Sequence, residues 1–243
     1  YIEKSNYDGM MALLANAVDA FNRIKTKNVI VPRIGIVGEI FLKYNDFSNN
    51  RIADWLLDQG IEVVAPQIAD FFMQFFVNVK VNARSHIEKA SIKQLIAAAL
   101  EVIANEYIGR IERILQNFKF YTPTHDIFTK AYKASKIVDL VNQFGKGWLI
   151  PAKIASYAES GVNNVVSLQP FGCIANHIVS KGVEKILKRH YPSLNLLFLD
   201  FDSCKSEVNI FNRLYFMVRY AKASLNSANT TPFILESVRC NYN

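Results

Sequence analysis

Two short apolar runs, 33–40 and 61–65, flank an amphipathic helical stretch, and the same alternation returns around residues 165 and 194. A chain that alternates strand and helix in this way is constrained to a parallel sheet covered by its own crossover helices. The first run, Arg33-Ile34-Gly35-Ile36-Val37-Gly38-Glu39-Ile40, ends at Gly38-Glu39. Ser48 or Asn49 then offers an N-cap, Ile52, Trp55 and Leu56 form an apolar face, and Gly60 closes the helix before the second run. This βαβ unit predicts parallel strands joined by a right-handed connection.

Helical periodicity fills most of the remainder. Met10, Leu13, Leu14, Ala17, Val18 and Phe21 recur at intervals of three and four, which predicts a helix over 7–25. From 68 to 118 no strand pattern occurs, and Ile92, Leu95, Ala99, Ile103, Tyr107, Ile111, Ile114 and Phe118 keep one helical stripe. The break Thr122-Pro123-Thr124 precedes a further helix over 126–142, and Gly145-Lys146-Gly147 reads as a joint. A helix over 149–159 is closed by Gly161. A strand through Val165, Val166 and Leu168 follows, then a helix over 174–189 and a fourth strand over 194–199. Ser203 or Ser206 caps a last helix running to about residue 225.

The expected architecture is therefore α/β: a four-stranded, doubly wound parallel sheet with a helical insertion between strands two and three. With the first strand central, the order is 2-1-3-4. The whole of 1–243 reads as a single α/β lobe, with 33–66 and 146–225 forming the sheet part and 67–145 the insertion. Residue 1 is Tyr1 and a full helix begins within ten residues of it, so the chain is expected to be a piece of a longer protein.

Composition narrows the function classes. The longest apolar run, 68–81, is interrupted by Asp70, Gln74, Asn78 and Lys80, so nothing approaches the roughly 20 residues of a spanning helix. Three widely spaced cysteines make no disulfide framework, and no secretory signal pattern opens the chain; a reducing cytoplasm is the expected compartment. The net charge of +7 invites a nucleic-acid reading, but Lys and Arg are scattered beside acids, as in Arg110-Ile111-Glu112-Arg113 and Glu184-Lys185. Neither nucleic acid nor membrane is the expected partner. Gly35-Ile36-Val37-Gly38-Glu39 lacks the G-x-G-x-x-G spacing of a nicotinamide site, and no Walker-type phosphate loop occurs, so neither NAD nor ATP is expected to bind here. Four histidines without a G-x-S-x-G elbow exclude the usual serine triad.

The chemistry-bearing stretch is Ser167-Leu168-Gln169-Pro170-Phe171-Gly172-Cys173-Ile174-Ala175-Asn176-His177. It puts a thiol at a strand-to-helix turn, where the positive end of a helix dipole favours thiolate, the form that attacks or binds metal. A lone cysteine after a strand equally suits a small buried hydrophobe. Cys173 and His177 lie one turn apart, too few ligands for a zinc site even with Cys204 nearby. Asp200 and Asp202, at the end of the fourth strand, read either as a cation or acid/base pair or as loop carboxylates ahead of the next helix. In open α/β sheets ligands bind beyond the carboxyl ends of the strands where the order reverses. The predicted crevice therefore sets Glu39, Tyr44 and Asn45 across from Phe171, Gly172, Cys173, Asn176 and His177, with Asp202, Ser206 and Glu207 at its side.

Together with Tyr44-Asn45-x-Phe47, Asn49-Asn50, Gln169-Pro170-Phe171-Gly172-Cys173, Asn176-His177-Ile178-Val179, Lys181-Gly182, Ser206-Glu207-x-Asn209 and Arg213, the first strand resembles the acyl-CoA dehydratase activase-related proteins. The resemblance runs from about residue 33 to 219. It implies a lobe of a dehydratase-like fold in which α/β domains hold an iron–sulfur cluster at their interface, serving ATP-coupled, low-potential electron transfer to a CoA thioester or similar substrate. Cys173 would match the late cysteine ligand. Such clusters usually take four thiolates, and 66–76 carries no cysteine where dehydratase subunits have one. Cys204 and Cys240 match nothing in the pattern. The other ligands, the ATPase activase part and a surface for acyl-CoA would come from the remainder of a longer chain or a second subunit, so this chain alone is not expected to be a complete enzyme. The alternative on the same fold is a cluster-free binding or docking module.

Overall fold

The computed structural model of the chain describes residues 6–27, 29–89, 91–123, 125–144, 147–202 and 207–229, the side chains of the last four excepted. It divides into two compact units, Ile30–Pro66 with Lys153–Asn243, and Tyr1–Val29 with Gln67–Ala152.

The first unit holds the sheet. Strands β1 (Arg33–Gly38), β2 (Glu62–Val64), β3 (Asn164–Pro170) and β4 (Asn195–Phe201) are all parallel, in the order β2-β1-β3-β4. β1 lies against β3 with Gly35 opposite Val165 and Gly38 opposite Leu168, and β3 lies against β4 with Gln169 opposite Asp200. The order reverses between β1 and β3, as the alternation predicts.

Helices cover both faces. On one, Ile34, Ile36, Val166, Leu168 and Leu199 meet Ile52 and Leu56 of α3 (Ile52–Asp58) and Leu214 and Val218 of α10 (Glu207–Asn229), forming a buried apolar core. On the other, Tyr157 of α7 (Leu149–Glu159) packs on Gly35, and its hydroxyl donates to the Val64 carbonyl at 3.1 Å. Strands buried on both faces should read as continuous apolar runs. β3 departs from this, because Ser167 and Gln169 are also buried.

Several predicted boundaries shift, each for a local reason. β1 stops at Gly38, whose φ of 115° suits no other residue and whose added Cβ would strike the Leu168 carbonyl. A short helix, α2 (Ile40–Tyr44), replaces the end of the predicted strand. α3 begins after Arg51, yet the Asn49 carboxamide caps it, accepting from the Ile52 N–H at 3.3 Å while donating to the Leu42 carbonyl at 2.6 Å. The helix expected over 174–189 is broken into α8 (Ile174–Asn176), a π-helical turn (His177–Lys181) and α9 (Glu184–His190). Gly182 allows the widened turn: its N–H reaches the His177 carbonyl at 2.8 Å, and a Cβ there would come within 2.5 Å of the Ile178 carbonyl oxygen.

The second unit is helical. α1 (Tyr7–Asn22) is capped by Asn6, and with it go α4 (Ala69–Arg84), α5 (Ile92–Leu115) and α6 (Ile127–Ser135). Met73, Phe76, Val77, Ala131, Ala134, Trp148 and Leu149 form its separate core. α6 ends seven residues before the predicted 142, because Asp139 and Asn142 build a turn of their own: the Asp139 carboxylate accepts from the Val141 N–H and its carbonyl from the Asn142 amide. The predicted caps Ser203 and Ser206, the joint at Gly145-Lys146, and Thr124 lie outside the described residues.

Candidate functional site

The turns after β1 and β3 leave the same edge of neighbouring strands, and the Glu39 N–H bonds the Leu168 carbonyl at 2.8 Å. The predicted crevice residues then part company. The Glu39 carboxylate accepts from the Phe41 N–H at 2.6 Å and the Leu42 N–H at 3.1 Å, which makes it the N-cap of α2. The Tyr44 hydroxyl donates to the Pro66 carbonyl at 2.6 Å, and the Asn45 side chain accepts from the Ser48 N–H at 3.1 Å. These three residues hold the loop after β1 in shape.

On the β3 side, Phe171 is exposed and its N–H bonds the Phe201 carbonyl at 2.8 Å, tying the turn to β4. Gly172, at φ 72°, turns the chain into Cys173. Cys173 is half-buried, and the Asn176 side-chain amide donates to its Sγ at 3.2 Å. Asn176 is only 1% exposed, and its Oδ1 accepts no hydrogen bond. His177 is half-buried and bonds back through its N–H to the Cys173 carbonyl at 3.1 Å. Only three α-helical residues follow Cys173 before the π turn, so the long regular helix expected to start at this thiol is interrupted after its first turn. The thiol's described side-chain contact is the directed Asn176 amide on Sγ. Asp202 is half-buried just past β4, Glu207 is exposed at the start of α10, and Ser206 lies outside the described residues.

The sequence reading missed the polar ladder beneath this turn. Ser167 and Ser180 share a buried hydroxyl–hydroxyl bond of 2.8 Å. One step further along β3, Gln169 donates its amide to Asp200 at 2.6 Å, and the Lys181 ammonium grips both Asp200 oxygens at 3.1 and 2.9 Å. Asp200 is thus neither an open cation ligand nor a helix cap but the paired centre of a partly buried network. Gln169 is fully buried with its Oε1 unbonded. The findable signal was Ser167-x-Gln169, two polar residues on one face of a strand whose other buried residues, Val165, Val166 and Leu168, are apolar. Burying polar groups costs desolvation, which the bonds of Asp200 offset and which the unbonded Gln169 Oε1 leaves in part uncompensated.

An iron–sulfur cluster asks for several thiolates. Among the described residues no three His, Cys, Asp or Glu side chains come together as a metal group, and Cys173 is the one cysteine described, Cys204 and Cys240 lying outside. The described residues therefore fit one corner of such a centre and not a whole one. No described helix is long and apolar enough to cross a membrane.

The fold and this edge define the class: a doubly wound parallel α/β lobe with its polar residues gathered at the switch point. No family model, curated protein or solved structure matches the chain.

Proposed function

We propose that the chain is an α/β lobe of an acyl-CoA dehydratase activase-related protein, in which Cys173 supplies one thiolate to an iron–sulfur centre completed by another lobe, chain segment or subunit. The carrying observation is the cysteine at the switch-point edge, half-buried, its sulfur accepting a hydrogen bond from the buried Asn176 amide. A donor held on sulfur in this way orients a ligand and offsets part of its charge. The Gln169–Asp200–Lys181 network fixes the turn that presents it. The lobe's part in electron delivery to a CoA thioester follows from the resemblance, and acyl-CoA and the ATPase partner would bind outside this chain.

The test is iron and acid-labile sulfide analysis of the full-length protein prepared without oxygen. Brown protein that loses both on Cys173→Ser supports the reading; colourless, iron-free protein overturns it.

One observation favours the second reading, a cluster-free docking module: the first half of α5 exposes apolar side chains on its outer face. On that reading Cys173→Ser is silent, and association instead depends on α5.

A further inference from the structure

The Asn176 carboxamide has a donor half and an acceptor half, and only the donor is engaged. Its Nδ2 donates to Cys173 Sγ at 3.2 Å, while its Oδ1, on a side chain 1% exposed, accepts nothing among the described residues. A buried acceptor without a donor is costly and rare, and this one belongs to the same planar group that touches the sulfur. The sulfur can also be approached from outside. Cys173 is half-buried, Gly172 before it is exposed, and a Cβ added at Gly172 would meet nothing within 4 Å.

We propose that Cys173 is a site of oxidation by a hydroperoxide, and that Asn176 Oδ1 holds the sulfenic acid that results. In that step the sulfur attacks one peroxide oxygen, the O–O bond breaks and an S–O bond forms. Sulfur gives up two electrons, and the thiol proton leaves with the other oxygen, so that Cys–SH and ROOH become Cys–SOH and ROH. The product differs from the thiol by one strong donor, an O–H one bond out from the sulfur. Asn176 then both donates to the modified side chain and accepts from it, and its buried oxygen gains the partner that it lacks beside the unmodified thiol. The inference does not rest on the cluster reading, because it concerns the thiol free of iron.

The experiment treats the whole chain, freed of iron by a chelator, with an equimolar amount of hydrogen peroxide, adds dimedone either at once or after a delay, and reads the Cys173 peptide by mass. The expected result is a dimedone adduct on Cys173 that is nearly undiminished after the delay. Asn176→Leu, which removes both halves of the amide, should lower the late adduct about tenfold, with sulfinic acid in its place. Asn176→Asp, which keeps an acceptor oxygen beside the sulfur, should restore it, whereas a merely structural Asn176 would move both variants together. Circular dichroism shows whether each is folded; if Asn176→Leu is not, the wild-type chain and Asn176→Asp decide. Four outcomes overturn the proposal: no adduct on Cys173, direct passage of the wild type to sulfinic acid, a disulfide from Cys173 to Cys204 or Cys240, or a late adduct unchanged in folded Asn176→Leu. Iron and sulfide in the untreated protein bear on the cluster reading alone, so the two can fail separately.

Discussion

Asp126 shows how a single side chain settles where an element begins. Its carboxylate accepts from the Phe128 and Thr129 N–H groups at 2.8 and 3.1 Å and from the Thr129 hydroxyl at 2.5 Å. Partial burial raises its pKa, but the hydrogen bonds from Thr129 and Phe128 outweigh that and hold it below the ordinary carboxylate value. A pKa lowered by folding contributes stability that is present above the unfolded-state pKa of about 3.9 and lost as pH falls through the folded value. Asp126→Ala should therefore cost about 1 kcal/mol at pH 7, and the gap between variant and wild type should narrow as pH falls below about 4. Urea midpoints at pH 7 and pH 3 measure both; a gap that widens in acid would contradict the capping account. Glu39 makes the same point for the candidate site. An acid at the end of a strand invites a catalytic reading, and only the two backbone N–H groups it accepts from reveal a cap.

At the scale of elements, what the sequence disclosed and what it hid divide along a physical line. The four strands and their order were legible because Val37, Val165, Val166 and Leu199 lie in runs whose burial on both faces leaves a plain hydrophobic signal. Breaks inside helices were not. The pattern over 174–189 stays amphipathic through the π turn, since one extra residue per turn shifts a face without erasing it. Gly182 was the visible clue. In the candidate site the place of Cys173 at a strand-to-helix turn was legible, and spacing paired it with His177; its bond from Asn176 and the contacts of Gln169, Ser180 and Lys181 were not, the last three because their partners on β3 and β4 are distant in sequence. The same limit hid the ion pair between α4 and α6. Lys130 reaches both Asp70 oxygens at 2.7 and 2.8 Å, with both residues buried. Removing one member leaves a buried charge uncompensated, so Lys130→Met should destabilise by about 3–5 kcal/mol. Asp70→Leu combined with Lys130→Met should recover most of that loss, the desolvation of both charges having been removed together. Thermal melts of the two variants distinguish this from a packing effect, for which the double variant would be the worse of the two.

For the whole molecule the decisive feature is that its two buried clusters share no residue: Leu199, Leu168 and Leu214 belong to the sheet unit, Trp148, Val77 and Ala134 to the helical one. Chain order does not keep the units apart, since the sheet unit is interrupted by Gln67–Ala152 and resumes within α7. Cooperativity in a protein follows packed contact rather than covalent sequence, so each cluster should define its own unfolding unit. Leu199→Ala, at a fully buried position, opens a cavity costing about 2–5 kcal/mol. In native-state hydrogen exchange that loss should appear as faster exchange of the amides of β1, β3 and β4, including those at the ends of a discontinuous chain. The amides of α4 and α6 should retain wild-type protection, although they lie in the sequence between those strands. Equal loss of protection in every element would instead mean that the two cores open as one, and the helical segment would then be a structural part of the lobe rather than a separately stable insertion within it.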